Sequence, residues 1–311
     1  MKNRTLRWSA TLTALIATPA LAQDRTGGDR PSLQRVSLDS PTAISPSSAT
    51  ATVSASSVPQ AMERLDGGGS TVDVSLGTLY GAGKFGTGST TTIWSSAASA
   101  RVHIDNLTLS ASLPWMQIRS RSTIFTGIDA TPVLIAPNTA IAKRTTEGFG
   151  DLTVGAAYTI APTGLPVEVE LSARAKLNTA SSSSGLSSGS NDYALGADVS
   201  VPLGKVTPFA SFTYRFLGDT DAYVLRDGPA ASAGASLGLG SEAFLVASYH
   251  YSSAATRQVS AAHELFAGAS QRIAGTPFRL TGFVTTGLSS GAAAISGGAA
   301  LSIGLGPRAG M

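Results

Sequence analysis

The chain has 311 residues, a formal net charge of +3 and no cysteine. Without cysteine there is neither a disulfide framework nor thiolate chemistry. The three cations of the first 22 residues account for the whole charge excess, so the remainder is balanced, which excludes the basic surface a nucleic-acid partner needs.

In chain order, the first segment is "MKNRTLRWSATLTALIATPALA". Lys2, Arg4 and Arg7 form a basic start, Trp8 to Ala17 a short apolar stretch, and Ala20 and Ala22 the small residues before a cut at Ala22/Gln23. This pattern predicts a secretory signal peptide over 1–22, too short for a membrane helix. Residues 23–70 follow as a periplasmic linker, with "DSPTAISPSSATATVSASSVPQAMERLDGGGS" rich in Ser, Thr, Ala and Pro and without period. Such a composition buries too little apolar surface to offset chain entropy, so disorder is expected, with at most a helical turn in "VPQAMERLDG".

From Thr71 the period becomes two. "TVDVSLGTLY" sets Val72, Val74, Leu76 and Tyr80 against Asp73 and Ser75, and "TIWSSAASARVHI" sets Trp94, Ala98, Ala100, Val102 and Ile104 against Ser95, Ser99, Arg101 and His103. Asp105-Asn106 turns the chain into "LTLSASLPWMQIRS", where Pro114 predicts a bulge because it cannot donate to a ladder. In "PVEVELSARAKL", Val167, Val169, Leu171, Ala173, Ala175 and Leu177 alternate with Glu168, Glu170, Ser172, Arg174 and Lys176. "GDLTVGAAYTI", "YALGADVSVPLG", "VTPFASFTYRF", "ASAGASLGLG", "EAFLVASYHY", "HELFAGASQR", "FRLTGFVTTG" and "SGGAALSIGLG" complete about twelve strands.

The connections alternate in length. A tight turn at 105–106 precedes a long segment, 121–147, and short "APTGLP", "PLGK", "LGSE" and "AGTP" alternate with longer 178–191, 217–227 and 252–260. Outer-membrane barrels alternate in this way, short turns inside and long loops outside. Tyr80, Trp94, Trp115, Tyr193, Tyr214, Phe216, Tyr249 and Tyr251 fall at strand ends beside the longer connections, with Tyr158 and Phe278 at the other rim. Amphipathic rings collect at the lipid–water boundary. No later segment has the roughly 18 consecutive apolar residues of a membrane helix, and an unclosed sheet cannot leave its edges in lipid. The predicted fold is therefore all-β: a transmembrane antiparallel up-and-down barrel over 71–306, with a C-terminal tail at 307–311.

In that frame the apolar phase meets lipid and the polar phase a lumen. The inward phase collects Asp73, Arg101, His103, Asp151, Glu168, Glu170, Arg174, Lys176, Asp198, Arg215, Glu242, His250, Glu264, Arg272 and Arg279 as lumen-lining residues. They have two readings, a lined pathway for a solute or ion-pair networks that plug a narrow barrel. Residues 23–70 would also fit into the lumen from the periplasmic side.

"GFGDLTVGAAYTI" (148–160), "NDYALGADVSVPLGKVTPFASFTYRFLGD" (191–219), "AHELFAGASQRI" (262–273) and the Leu-Pro-aromatic step in "LTLSASLPWMQIRS" resemble a bacterial outer-membrane barrel family of "transporters", similar to proteins of the meta-cleavage pathway of phenol degradation. The resemblance spans about 71–306 and implies passive passage or binding of a small, aromatic or hydrophobic solute. One feature departs from it: "ALSIGLGPRAGM" places Leu305 and Gly306 where a C-terminal aromatic for the barrel-assembly machinery is expected.

There is no His-Glu-x-x-His or P-loop motif, and Gly-rich "GAGKFGTGST" lacks the following helix a phosphate site requires. No catalytic, cofactor or metal residue is nominated. The expected partners are outer-membrane lipid, the assembly machinery and an unknown small solute. Two alternatives stay open, a structural or surface-sensing barrel with a plugged lumen and an outer-membrane lipase with a Ser/His pair facing lipid. His250 and Glu264 are expected opposite each other across the hairpin, as a lumen hydrogen bond or a pH-sensitive ionic latch that raises the imidazole pKa.

Overall fold

The computed structural model describes residues 71–305, apart from 86–88, 122, 129–131, 137–141, 163, 182–183, 220–223, 241 and 258–259. The signal peptide, linker and tail assigned from sequence lie outside the described residues. The strands are β1 (Thr71–Gly83), β2 (Thr91–Ile104), β3 (Leu107–Ser120), β4 (Thr123–Thr126), β5 (Pro132–Ala136), β6 (Arg144–Phe149), β7 (Leu152–Ile160) and β8 (Glu168–Leu177). They continue as β9 (Asp192–Ser200), β10 (Val206–Phe216), β11 (Gly228–Gly238), β12 (Ala243–Ser252), β13 (Ala262–Arg272), β14 (Phe278–Gly287) and β15 (Ile295–Leu305).

Each strand pairs antiparallel with its neighbour, and β1 pairs with β15 from Val72↔Leu305 to Ala82↔Ile295, which closes the sheet. β6 and β7 act as one barrel strand, since β3 pairs with β7 along one half and with β6 along the other. The barrel therefore has twelve staves, and β4 and β5 form a separate hairpin within the connection from β3 to β6. Closure pairs the two edges that an open sheet would leave to lipid, the condition a membrane imposes, while β6 keeps one edge beyond its ladder with β3.

The bulge expected at Pro114 is displaced. Pairing of β3 with β2 runs unbroken through Ala97↔Pro114. The irregularity lies on the facing stave, between Trp115↔Phe149 and Ser112↔Thr153, where Gly150 N–H donates to the Pro114 carbonyl at 2.8 Å. Pro114 lacks its own donor, so the strand opposite gives way rather than the strand that carries it. The extra residue switches the inward phase from Thr146 and Gly148 to Asp151 and Thr153, and so turns Asp151 into the barrel.

Short connections (105–106, 161–167, 201–205, 239–242, 273–277) lie at one end, together with both ends of the chain's barrel portion. Long ones (84–90, 121–143, 178–191, 217–227, 253–261, 288–294) lie at the other. The outward face is apolar, with Val72, Val74, Leu76, Leu171, Leu195, Phe212, Leu245, Leu265, Leu280 and Leu301 exposed. Tyr80 and Trp94 are register partners near the long-loop end, as are Tyr193 and Phe216.

Candidate functional site: the barrel lumen

Side-chain alternation sends every second residue inward, and two walls of different chemistry result. One wall, from β7 through β9 and from β1 to β2, carries most of the charge. Lys176 is its centre: Nζ donates to Asp151 Oδ2 at 3.0 Å and Ser188 Oγ at 3.0 Å and lies 3.3 Å from Asp192 Oδ2, with all three charged side chains buried. Asp151 Oδ1 accepts the Thr179 and Ala180 amides at 3.1 and 2.9 Å, Oδ2 accepts Ser187 Oγ at 2.8 Å, and Asp192 Oδ1 accepts the Gly218 amide at 3.0 Å. A buried charge is tolerated when paired and hydrogen-bonded in this way. The network fastens the 178–191 connection to the wall.

Farther toward the short-turn end, His103 Nε2 lies 3.3 Å from Asp73 Oδ2, and its Nδ1 is 3.0 Å from Thr108 Oγ1. Arg101 sits opposite Asp73 in the ladder and has Glu170 as its electrostatic partner. Glu170 is itself within 3.5 Å of Thr159 Oγ1. Glu170 pairs in register with Asp198, Glu168 with Ser200, and Arg174 with Gly155 and Ala194. Arg215 on β10 donates to the Ser253 carbonyl at 2.9 Å.

The facing wall, β10 to β14, presents rings. Phe244, Val246 and Phe266 form a buried cluster against Phe209 and Phe283. Phe266 and Phe283 stack at 5.7 Å, and the Arg279 guanidinium lies 5.5 Å from the Phe244 centroid. Glycine makes room for these rings: a Cβ on Gly268 would meet Phe266 at 3.0 Å and one on Gly298 would meet Phe283 at 2.8 Å. These rings fill the space over glycines, and Phe283, laid over its cross-strand partner Gly298, also fixes the register.

At the long-loop end the connections gather into an apolar plug. Phe85, Ile93, Met116, Ile118, Leu186 and Ala293 pack together, with Ala254 against them. These residues come from β2, β3 and four separate connections, so the plug joins loops on opposite sides of the barrel.

Two positions correct the sequence reading. Glu242 lies in an exposed turn and pairs with Arg272 at 3.2 Å, at the short-turn rim rather than within the lumen. His250 and Glu264 are register partners as expected, yet no ion pair joins them. His250 Nε2 is instead 2.8 Å from Ser248 Oγ and its ring stands edge-on to Phe266 at 5.7 Å, because the neighbouring inward positions offer a nearer hydroxyl and a ring. The ionic latch is absent. The sequence reading also missed the plug, the phenylalanine wall and Asp192. The phenylalanines share the phase of Arg279 and Glu264, so that phase, read for apolar residues as well as charges, exposes the second wall.

No protein-family model matches this chain, and no curated protein matches it. Solved structures do. The COG4313 outer membrane channel from Pseudomonas putida F1 aligns at TM-score 0.56 and 12% identity over 76% of this chain and 96% of that one. The translocator domain of the autotransporter NalP from Neisseria meningitidis aligns at 0.43 and 13% over 80% and 96%. The CymD monoaromatic hydrocarbon channel aligns at 0.38 and 11% over 76% and 87%. At these identities the likeness concerns fold, and only the first alignment is close enough to carry it: the chain has the fold of an outer-membrane β-barrel channel.

Proposed function

We propose that this protein is an outer-membrane channel that binds and passes a small solute with an apolar, ring-bearing body, without catalysis. The observation that supports it is the division of the lumen. Phe209, Phe244, Phe266 and Phe283 form a continuous apolar track, while Lys176, Asp151 and Asp192 are consumed by one another. Charges of both signs that pair along a wall select neither anions nor cations, whereas a ring track favours flat apolar bodies. In this reading the long connections face outward, the short turns face the periplasm, and the 1–22 leader exports the chain.

The apolar plug favours a second reading, a closed barrel whose loops meet an external partner. Single-channel recording of refolded protein in planar bilayers, across several salts, separates the two. Wild type should show small, infrequent openings with little ion preference, and Leu186→Ser, which wets the plug, should raise open probability. Silence of both proteins would leave only the closed barrel. A calcium-dependent acyl-ester assay tests the lipase alternative, and hydrolysis there would overturn the non-catalytic reading.

A further inference from the structure

Beyond Phe266, toward the long-loop end, lie buried polar atoms without a partner among the described residues. Glu264 Oε1, Ser252 Oγ and Thr256 Oγ1 are buried and have no hydrogen-bond partner among the described residues. Ser252 ends β12, Glu264 lies near the start of β13, and Thr256 belongs to the connection that joins these strands. Ser252 pairs with Ala262 and His250 with Glu264, so Ser252 and Glu264 are diagonal neighbours on the inward face. Glu264 is 2% exposed, Ser252 2% and Thr256 6%.

The surroundings define a cradle. The Ala293 amide serves the Glu264 carboxyl group, and Ala293 itself belongs to the apolar plug. His250 is engaged by Ser248. Phe266 is the next inward residue after Glu264 and stacks on Phe283. A solute moving along the track therefore meets the carboxyl group where rings give way to plug.

The three unused atoms have a specific complement. A carboxyl oxygen accepts, and the Ser and Thr hydroxyls each have a proton to donate. One alcohol hydroxyl offers one donor and two acceptor lone pairs. An ammonium would leave the Ser252 and Thr256 protons unmatched even where their oxygens accept from it, and a carboxylate solute would need a proton on Glu264. We propose that Glu264, Ser252 and Thr256 bind the hydroxyl group of an uncharged alcohol whose flat apolar body lies on Phe266 and Phe283. This deepens the channel reading and rests on it.

Fluorine NMR on the full barrel in lipid nanodiscs, with para-fluorobenzyl alcohol, para-fluorotoluene and para-fluorobenzylamine as probes, tests the site. The alcohol should bind more tightly than the toluene. Glu264→Ala should weaken the alcohol by on the order of tenfold and Thr256→Val by a few-fold, with the toluene unchanged in both, since each loses one hydrogen bond to a buried partner. Thr256 lies outside the strand ladder, so that variant remains informative if Glu264→Ala does not fold. Equal binding of alcohol and toluene, tighter binding of the amine, or indifference of both variants would overturn the site and leave a pocket filled by water. A conducting channel that ignores the hydroxyl refutes the site alone, whereas hydroxyl-dependent binding in a silent barrel refutes the channel.

Discussion

Lys176 on β8 and Phe266 on β13 occupy corresponding places in the alternation. Each points inward, each is buried, and each is flanked by outward apolar neighbours, Ala175 and Leu177 in one case and Leu265 and Ala267 in the other. Their surroundings differ completely. Lys176 is held by three polar contacts that reach into a loop, and Phe266 by a stacked ring, an imidazole edge and a glycine that makes room for it. The outer faces of the two walls are alike because lipid demands the same of both. The inner faces are free to differ, and that is where a barrel's specificity resides.

The largest expected effect breaks the charged wall. Lys176→Met should cost about 3–5 kcal/mol, because Asp151 and Asp192 remain buried without their cation. The loss should reach the 178–191 connection, so loop proteolysis should accelerate together with the fall in urea midpoint. Phe266→Ala on the opposite wall should cost about 3 kcal/mol by emptying a packed site, yet leave that loop's proteolysis unchanged. Equal loop sensitivity in the two variants would show that the walls are not separate units.

The outer faces supply a control. Leu171→Arg on the charged wall and Leu245→Arg on the aromatic wall both point into lipid, as the exposure of both leucines indicates. Each should cost about 2–4 kcal/mol near the bilayer centre and less toward an interface, and reversible unfolding in lipid vesicles should show similar penalties. A large penalty for one alone would mean that one outer face is covered by something other than lipid.

The sequence displayed this half of the design openly. The period of two in 167–177, the alternation of loop lengths and the rings at strand ends each report the membrane, which acts on every strand alike. The lumen was legible only where charge marked it. Asp73, Arg101, Glu170 and Lys176 stood out, while Phe244, Phe266 and Phe283 looked like any apolar residue of a strand, because a ring facing inward and a ring facing lipid differ only by phase. The plug was hidden for another reason. Phe85, Leu186 and Ala293 meet from connections far apart in the chain, and no local pattern encodes a contact that exists only once the barrel has closed. Pro114 was read as the place of a bulge on its own strand, but the adjustment fell on the partner strand, since a missing donor can be accommodated from either side.

The smallest effect concerns the edge of the aromatic wall that adjoins the charged one. Ser211 on β10 and Ser232 on β11 are register partners whose hydroxyls lie 2.6 Å apart, with the Ser200–Phe209 and Ser232–His250 pairs close by on either side. The pair belongs to neither the charge network nor the ring track. Ser211→Ala should cost about 1 kcal/mol, because it removes one hydrogen bond and leaves the Ser232 hydroxyl to find another partner. Adding Ser232→Ala should cost little more, since removing both partners leaves no orphan. A double-mutant cycle by urea unfolding therefore should return a coupling energy comparable to the single-mutant loss. Strict additivity would mean that each hydroxyl already contributes through other groups and that this edge of the wall has no dedicated polar joint.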